Sequence, residues 1–403
     1  MKLSKVSQLV LVSAIGLLAA MSLSGCLIVT IDYLYAADSS GSGTSSPGQI
    51  QVYAVDSESG ALRPGAPTVP SGGSMPVAMA TTSDYYNLYV ANQSNNTVVH
   101  FAIAGDGSLT QKDTVTLTFT PAAIAVNQAG TFIYVAGGAG PGKLAAYPLS
   151  SGTIGTLASL TSLTVPGYAT DDLIPTAITT LADNDAVYVA AYDQSAYFPG
   201  GTVTSSANPG WLYGFAVGSG GALTPTSGSP YLAGVKPSSV ATDPTNRFVY
   251  VTDFASNELI GYTIENGTNL TFMIDGPFKV GSEPSSVVVD PRGIYIYVAD
   301  ALQNTVTAFS IALPNGTPSG VVSFGSSAVS VTDTEPVAIT IDAALGRWVY
   351  TANFLGNSIS GLRLDPNSGA LSPDQITPFP TGANPTAIIT IPHGNHNIES
   401  VTP

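Results

Sequence analysis

The 403-residue chain contains one cysteine, three histidines and only 11 lysine and arginine residues. A single cysteine excludes an intrachain disulfide framework and any metal site built from several thiolates. The formal net charge of −15 predicts a surface that repels phosphate backbones, which argues against nucleic-acid binding. Charged residues make up only 9% of the chain and apolar residues 44%, so the composition can supply a core and argues against disorder.

Glycine and proline, in contrast, are abundant, with 42 and 29 copies. They occur among many serines and threonines, and helix-forming residues are few. This composition is typical of short strands joined by turns. It predicts an all-β protein.

The N-terminus has the pattern of an export signal. Two lysines precede an apolar run over residues 9–23, which is too short to be preferred as a spanning helix. The run ends in LSGC at residues 23–26, which resembles the lipobox of bacterial lipoproteins. Cleavage before Cys26 and acylation of its sulfur and amine would anchor the protein to a membrane, since several acyl chains suffice. The alternative is a generic signal peptide with an incidental cysteine.

Leu27, rather than aspartate, follows the cysteine. In a bacterium with two membranes this favours the outer membrane. We therefore expect an exported protein, lipid-anchored to the cell envelope at the outer membrane, in the periplasm or on the cell surface.

A proline followed by small residues recurs along the rest of the chain, with a tyrosine thirteen or fourteen positions later. The pairs are Pro76 and Tyr89, Pro121 and Tyr134, Pro175 and Tyr188, Pro237 and Tyr250, Pro284 and Tyr297, and Pro336 and Tyr350. Each tyrosine lies in an apolar run, a third run follows, and a Gly-x-Leu-like segment begins a fourth. Four short strands in a unit of roughly fifty residues is the blade pattern of a propeller. A β-sandwich array would need units of about a hundred residues.

The two ends of the chain complete this count. Residues 32–38 and 50–55 resemble the second and third strands of a unit that lacks its first strand. A seventh proline, Pro385, begins a first strand after which the chain ends. We therefore predict a seven-bladed β-propeller of four-stranded antiparallel blades, closed by the C-terminal strand. The predicted division is a signal peptide (1–25), the propeller (26–392) and a C-terminal tail (393–403).

The Pro-small-small-Ile, Tyr-Val-Ala-Asn and Gly-Ala-Leu segments resemble those of the lactonase family of seven-bladed propellers, which includes 6-phosphogluconolactonase-like and YVTN-repeat proteins. The resemblance covers residues 27–391. It implies opening of lactones, or their formation in muconate-cyclising relatives, without a metal or other cofactor, by His, Arg and Glu side chains at the channel mouth. Here no histidine (His100, His393, His396) precedes a repeat Tyr-Val run, so the family's catalytic residues cannot be assigned by position.

The arginines do not supply a match either. Arg247, Arg292 and Arg347 lie three to five residues before repeat tyrosines, which places them in turns between first and second strands. Those turns lie on the face opposite the usual site.

The candidate catalytic residues precede the repeat prolines of successive blades. Glu283 and Glu335 would form a carboxylate pair in which one pKa rises and provides a general acid or base. Lys236, from the preceding blade, would stabilise a developing oxyanion. Asp172 and Asn384 enter other blades at the same level and are candidate ligand-binding residues. The alternative is that these are solvated loop charges, or one ion pair worth under about 1 kcal/mol.

A long insertion at about residues 192–210 supplies the aromatic candidates for ligand binding. It contains Tyr192, Tyr197 and Phe198, and Trp211 follows it. Structured loops with aromatic residues often bind carbohydrate or a protein partner. The alternative is a loop that packs its aromatic residues on its own blade.

Polar residues also end the second run of several blades: Asn92, Asp253, Asp300 and Asn353. A ring of polar ligands around the channel is one interpretation, but recurrence in blade after blade favours a structural role, in which they bond local backbone. The sequence contains no calcium-loop pattern or histidine pair, so we predict no metal site.

Three functional hypotheses follow. The first is a membrane-anchored propeller that binds a carbohydrate, lactone or protein. The second is a metal-independent hydrolase of an extracytoplasmic lactone, since cytosolic 6-phosphogluconolactone is an improbable substrate for an exported protein. The third is a purely structural surface lipoprotein.

Overall fold

The computed structural model describes residues 29–39, 47–165, 172–195, 210–312, 322–374 and 376–393, without the side chains of 322–328. These residues form seven small antiparallel sheets and one short 3-10 helix, Ser219–Gly221. The inner strands contact one another in a closed ring. The predicted all-β, seven-bladed β-propeller is confirmed.

The strands of the first four blades run as follows. Blade 1 contains β1 (Thr30–Asp38), β2 (Gln49–Asp56), β3 (Leu62–Pro64) and β4 (Val69–Pro70). Blade 2 contains β5 (Pro76–Thr81), β6 (Asn87–Asn92), β7 (Thr97–Ile103) and β8 (Leu109–Thr116). Blade 3 contains β9 (Pro121–Val126), β10 (Phe132–Gly137), β11 (Lys143–Ser150), β12 (Thr153–Ile154) and β13 (Ser159–Ser162). Blade 4 contains β14 (Leu173–Thr180), β15 (Ala186–Asp193), β16 (Gly210–Val217), β17 (Leu223–Pro225) and β18 (Tyr231–Leu232).

The remaining strands complete the ring. Blade 5 contains β19 (Pro237–Thr242), β20 (Phe248–Asp253), β21 (Glu258–Glu265), β22 (Asn269–Phe272) and β23 (Phe278–Lys279). Blade 6 contains β24 (Pro284–Val289), β25 (Tyr295–Asp300), β26 (Thr305–Ile311) and β27 (Val322–Val331). Blade 7 contains β28 (Pro336–Ile341), β29 (Trp348–Asn353), β30 (Ser358–Leu364), β31 (Leu371–Pro373) and β32 (Phe379–Pro380). The last strand, β33 (Pro385–Pro392), is the inner strand of blade 1.

Closure joins the two ends of the described chain. Strand β33 pairs antiparallel with β1, so that Leu34 faces Thr390 and Ala36 faces Ile388. In five blades the outermost strand is broken into two short segments that pair with the same third strand. Short, interrupted edge strands offer little template for pairing with another chain.

A belt of hydroxyl groups links the inner strands. The residue after the repeat proline donates a hydrogen bond to the carbonyl oxygen of the repeat proline in the next blade. The pairs are Thr176 to Pro237 at 2.8 Å, Ser238 to Pro284 at 2.5 Å, Ser285 to Pro336 at 2.6 Å and Thr386 to Pro76 at 2.6 Å. Crowding at the axis explains why these residues are small. The belt explains why four of them carry a hydroxyl.

The core lies between the blades, in seven clusters that each join two neighbours. The repeat tyrosine crosses this interface. For example, the Tyr297 hydroxyl donates to the Gly369 carbonyl of the next blade at 3.0 Å. Gly369 has a φ of +71°, and a Cβ there would lie 2.4 Å from the Tyr295 ring. Both the conformation and the close packing therefore require glycine at the start of the Gly-x-Leu segment.

Two of the arginines are bound in turns between inner and second strands, as the sequence predicts. The Arg247 Nε donates to Asp243 and the Arg292 Nε to Asp290, each at 2.7 Å. These turns lie at the ends of the inner strands remote from the repeat prolines. We call this the opposite face, and the end that carries the loops before the repeat prolines the entry face.

The equivalent turn of blade 7 is one residue longer and has a different partner. The Asp342 carboxylate accepts hydrogen bonds from the backbone N–H groups of Leu345, Arg347 and Trp348, and its neighbour is Asp32 of blade 1. Burial, then the charge of Asp342, holds the pKa of Asp32 well above its usual range. Asp32 is fully buried beside the Asp342 carboxylate, so the protonated form of Asp32 is favoured.

An Asp32→Asn variant tests this proton. A raised pKa in the folded state means that stability is fully present below the unfolded pKa, at about pH 4, and is lost as pH rises towards the folded pKa. Asparagine mimics the protonated acid and does not titrate, so the variant should gain unfolding free energy over wild type as pH rises from 4 to 8. Urea unfolding at each pH measures this difference. The exposed Asp275→Asn is the control, and a pH-independent difference for Asp32→Asn would contradict the assignment.

Candidate functional site

The channel mouth on the entry face is built by one repeated contact. In every blade except blade 4, the first residue after the second strand donates its N–H to the carbonyl of the residue before the repeat proline. Phe254 bonds to Lys236 at 2.9 Å, Ala301 to Glu283 at 2.9 Å and Phe354 to Glu335 at 2.7 Å. The structure therefore places the three predicted catalytic residues at equivalent positions in blades 5, 6 and 7.

The polar residues that end the second strands support these loops from below. The Asp253 carboxylate accepts hydrogen bonds from the N–H groups of Val235 and Lys236 at 2.8 and 2.9 Å. Asn353 donates to Ser358 and Ser360 at 3.0 and 2.9 Å. Both residues are fully buried, so they bond neighbouring protein groups and do not present ligands to the channel.

Asn92 and Asp300 are buried in the same way. Asn92 accepts a hydrogen bond from the Ser71 hydroxyl at 2.7 Å and Asp300 from the Thr307 hydroxyl at 2.6 Å. Burial raises the pKa of Asp300 to about 6, although hydrogen bonds from Thr307 and Thr305 lower it. The structural interpretation of these repeated residues therefore agrees with their contacts.

Glu283 and Glu335 have left-handed backbone conformations, with φ of 56° and 59°. The equivalent Met75 and Asn384 have φ of 54° and 53°, so this conformation belongs to the turn before the repeat proline in several blades. The backbone N–H groups of the two glutamates are held by the side-chain oxygens of Asn257 and Asn304, each at 2.8 Å. The sequence analysis missed these asparagines. The signal was present, because an asparagine recurs just before the third strand in several blades.

The three charged side chains interact electrostatically. Burial, then the negative charge of Glu283, raises the pKa of Glu335. Burial lowers the pKa of Lys236, and the charge of Glu283 opposes that shift. The negative charge of Glu283 therefore favours the protonated form of both Lys236 and Glu335.

Two aromatic rings flank the ammonium group. The Lys236 Nζ lies 4.3 Å from the centre of the Phe254 ring and 5.8 Å from that of Tyr192. These distances are in the range of cation–π attraction. Tyr192 was a sequence candidate, but Phe254 was missed. Phe254 and Phe354 each directly follow the buried polar residue that ends a second strand. This repeated position is the sequence signal from which Phe254 could have been predicted.

The other predicted ligand-binding residues have structural contacts. The Asp172 carbonyl accepts a hydrogen bond from Gln194 at 3.0 Å. Asn384 lies at the mouth, where its side-chain amide donates to the Phe354 carbonyl at 3.2 Å. Trp211 packs against the core cluster between blades 3 and 4. The predicted residues Tyr197, Phe198 and Cys26 lie outside the described residues.

The two described histidines lie away from the mouth. His100 is buried, and its ring nitrogens lie 2.6 Å from Asp113 Oδ1 and 2.9 Å from Asn87 Oδ1. The His393 ring contacts Tyr33 edge-on, with ring centres 4.9 Å apart. His396 lies outside the described residues.

The described part of the chain contains no group of three or more His, Cys, Asp or Glu side chains that could hold a metal ion. None of its helices is long and apolar enough to span a membrane. At the mouth, Lys236, Glu283 and Glu335 supply one ammonium and two carboxyl groups. A carboxylate with a raised pKa suits a general base, and an ammonium suits an oxyanion.

Solved structures with the same architecture come from several bacteria. A periplasmic gluconolactonase of Pseudomonas aeruginosa has a TM-score of 0.74 at 16% identity, covering 91% of this chain and 100% of that one. A putative 6-phosphogluconolactonase of Bacteroides uniformis has a TM-score of 0.71 at 16% identity, covering 90% and 99%. At such identities the likeness shows the fold alone.

No curated protein matches the sequence. The profile of one family, described as "Lactonase, 7-bladed beta-propeller", matches residues 10–122 and 104–396. These matches span most of the chain and include every blade. The chain therefore belongs to the lactonase family of seven-bladed β-propellers.

Proposed function

We propose that the mouth hydrolyses a lactone by acid–base chemistry of its own side chains. The observation that supports this proposal is that Lys236, Glu283 and Glu335 occupy equivalent positions before the repeat prolines of three successive blades, where the charge of Glu283 acts on the pKa values of the other two groups. Family membership and the gluconolactonase among the similar structures support the same reaction class.

The reaction assigns one task to each group. Glu335, as carboxylate, removes a proton from water, whose oxygen attacks the lactone carbonyl carbon. The negative charge that develops on the carbonyl oxygen is stabilised by the Lys236 ammonium. The ring C–O bond then breaks, and the leaving oxygen takes the proton from Glu335. The products are a hydroxy acid and the regenerated carboxylate. Glu283 keeps Lys236 protonated and raises the pKa of Glu335.

We propose that this reaction takes place outside the cytoplasm, on a protein anchored through Cys26. The lipobox-like LSGC segment at residues 23–26 supports the anchor. A relative described as periplasmic supports export.

A binding scaffold without hydrolytic activity is the second candidate function. It is favoured by the histidines and arginines, because His100, Arg247 and Arg292 are all bound in structural contacts away from the mouth. Calorimetry that detects a bound lactone, with no turnover of it, would favour this alternative.

Replacement of the general base gives the first functional test. Glu335→Gln should lower kcat/KM for lactone hydrolysis by about 10²- to 10⁴-fold, the usual contribution of a general base. A pH-stat assay measures the acid released. Glu265→Gln, an exposed position at the opposite end of β21, is the matched control and should retain full activity. Equal rates for the two variants would remove Glu335 from the mechanism.

The pH dependence tests the role of Glu283 separately. Because the negative charge of Glu283 raises the pKa of Glu335, Glu283→Gln should lower that pKa and move the acid limb of kcat/KM to lower pH. A pH–rate profile of wild type and variant measures the shift. An acid limb that stays in place, or moves to higher pH, would contradict the coupling.

The anchor is tested in cells. Cys26→Ser removes the acylated sulfur, so the variant should lose metabolic labelling by a fatty-acid analogue and move from the detergent phase to the aqueous phase on partitioning. Ser24→Thr keeps the cysteine and serves as the control. If wild type itself takes up no label, the protein is not a lipoprotein.

A further inference from the structure

Among the described residues directly before the repeat prolines, the charged ones are on three successive blades. Lys236, Glu283 and Glu335 precede the repeat prolines of blades 5, 6 and 7. The equivalent positions of blades 2, 3 and 4 carry Met75, Thr120 and Ile174, which have no charge. Asp172 of blade 4 lies two residues further from its repeat proline, so the residues next to the prolines give a ligand ionic groups on blades 5, 6 and 7.

Apolar side chains accompany the charges on the same three blades. Phe254 and Phe354 are the first residues after β20 and β29, and both are part-exposed. Leu302 and Leu355, the second residues of the loops that follow β25 and β29, are 65% and 60% exposed. Exposed large apolar residues concentrated beside a polar site mark a surface that binds an apolar group.

The loop that contains Leu302 is hydrogen-bonded to the loop that carries Glu283. The Leu302 N–H donates to the carbonyl of Ser282 at 3.2 Å, immediately before Glu283. Leu355 directly follows Phe354, whose N–H is bonded to Glu335. Hydrogen bonds thus hold the loops of Leu302 and Leu355 against the backbone segments that carry Glu283 and Glu335.

The charge at the mouth disfavours an anionic substituent. One ammonium stands against two carboxyl groups, and the ammonium already interacts with Glu283, Phe254 and Tyr192. Guanidinium groups are the usual bidentate partners of phosphate. Arg247 and Arg292 are bound to aspartates on the opposite face.

We propose that the substrate is an uncharged lactone that carries an aliphatic or aromatic substituent. The ring lies against Lys236 and Glu335, and the substituent covers the apolar rim formed by Phe254, Leu302, Phe354 and Leu355. This inference rests on the proposed hydrolase function and specifies its substrate class. Phosphorylated sugar lactones are disfavoured by charge, and polyhydroxylated sugar lactones gain no apolar contact from the rim.

A chain-length series tests the substrate class with the full-length protein. The substrates are γ-butyrolactone, γ-hexalactone, γ-octalactone and γ-decalactone, with dihydrocoumarin, glucono-δ-lactone and 6-phosphoglucono-δ-lactone for comparison. The kcat/KM should rise by up to about fourfold per methylene that becomes buried, the factor equivalent to roughly 0.8 kcal/mol. Glucono-δ-lactone and its phosphate should be the poorest substrates.

Variants locate the effect on the rim. Phe354→Ala and Leu302→Ala should flatten the chain-length dependence, measured as the ratio of kcat/KM for γ-decalactone to that for γ-butyrolactone. The matched control is Phe272→Ala, because Phe272 is 45% exposed and lines a separate cavity of about 550 Å³ between blades 4 and 5. Loss of the dependence in Phe272→Ala alone would place the apolar substituent in that cavity and overturn the assignment. Phe354→Leu keeps the apolar surface and shows whether a low rate reflects misfolding.

The outcomes separate this inference from the proposed function. If no lactone is hydrolysed, the hydrolase proposal fails, and the substrate class fails with it. If glucono-δ-lactone or its phosphate is hydrolysed as fast as γ-decalactone, the hydrolase proposal survives and the inference is wrong. A rate that rises with chain length in wild type and not in the rim variants supports both.

Discussion

Closure of the ring is the constraint on which the rest of this structure depends. Each blade buries its apolar faces only against its neighbours, so a missing contact anywhere would expose a core cluster. Pairing of β33 with β1 removes the one seam that a linear chain leaves open. The hydroxyl belt acts at the axis, where Ser238 bonds to a proline 46 residues away in the next blade. Small residues fit into the narrow space at the axis. Their hydroxyl groups also donate hydrogen bonds to the carbonyl groups buried there.

The two faces of the ring use the few charged residues differently. On the opposite face, aspartates at the ends of inner strands bind turn backbone and two of the arginines, which keeps those charges in local structure. The blade 7 turn lacks such an arginine contact at Asp342, and a protonated Asp32 takes that place. On the entry face, the charge of Glu283 acts on the pKa values of Lys236 and Glu335, and Lys236 also lies near the Phe254 ring. That difference is why we assign chemistry to the entry face.

The mouth is held in an unfavourable conformation by its surroundings. Glu283 and Glu335 have left-handed backbones immediately before proline, and each is held by an asparagine from the loop of the preceding blade. These hydrogen bonds to the backbone N–H groups stabilise the left-handed conformation of both residues. The same loops carry Phe254 and Phe354, which brings apolar surface and ionic groups into one site.

The sequence by itself determined the number and kind of blades. The interval between the repeat proline and tyrosine is short-range and is set by one hairpin, so it can be read locally in every copy, and the unpaired segments at the ends predict closure. Tertiary structure alone decided which side chains meet at the mouth. About fifty residues separate Lys236 from Glu283, and again Glu283 from Glu335. The distances between these side chains therefore depend on how far each blade is rotated about the axis. The roles of Asn257, Asn304 and Asp32 were hidden for the same reason, because each acts on a residue of another blade. The asparagine recurs locally before the third strand, but the contact that it makes does not appear in the sequence.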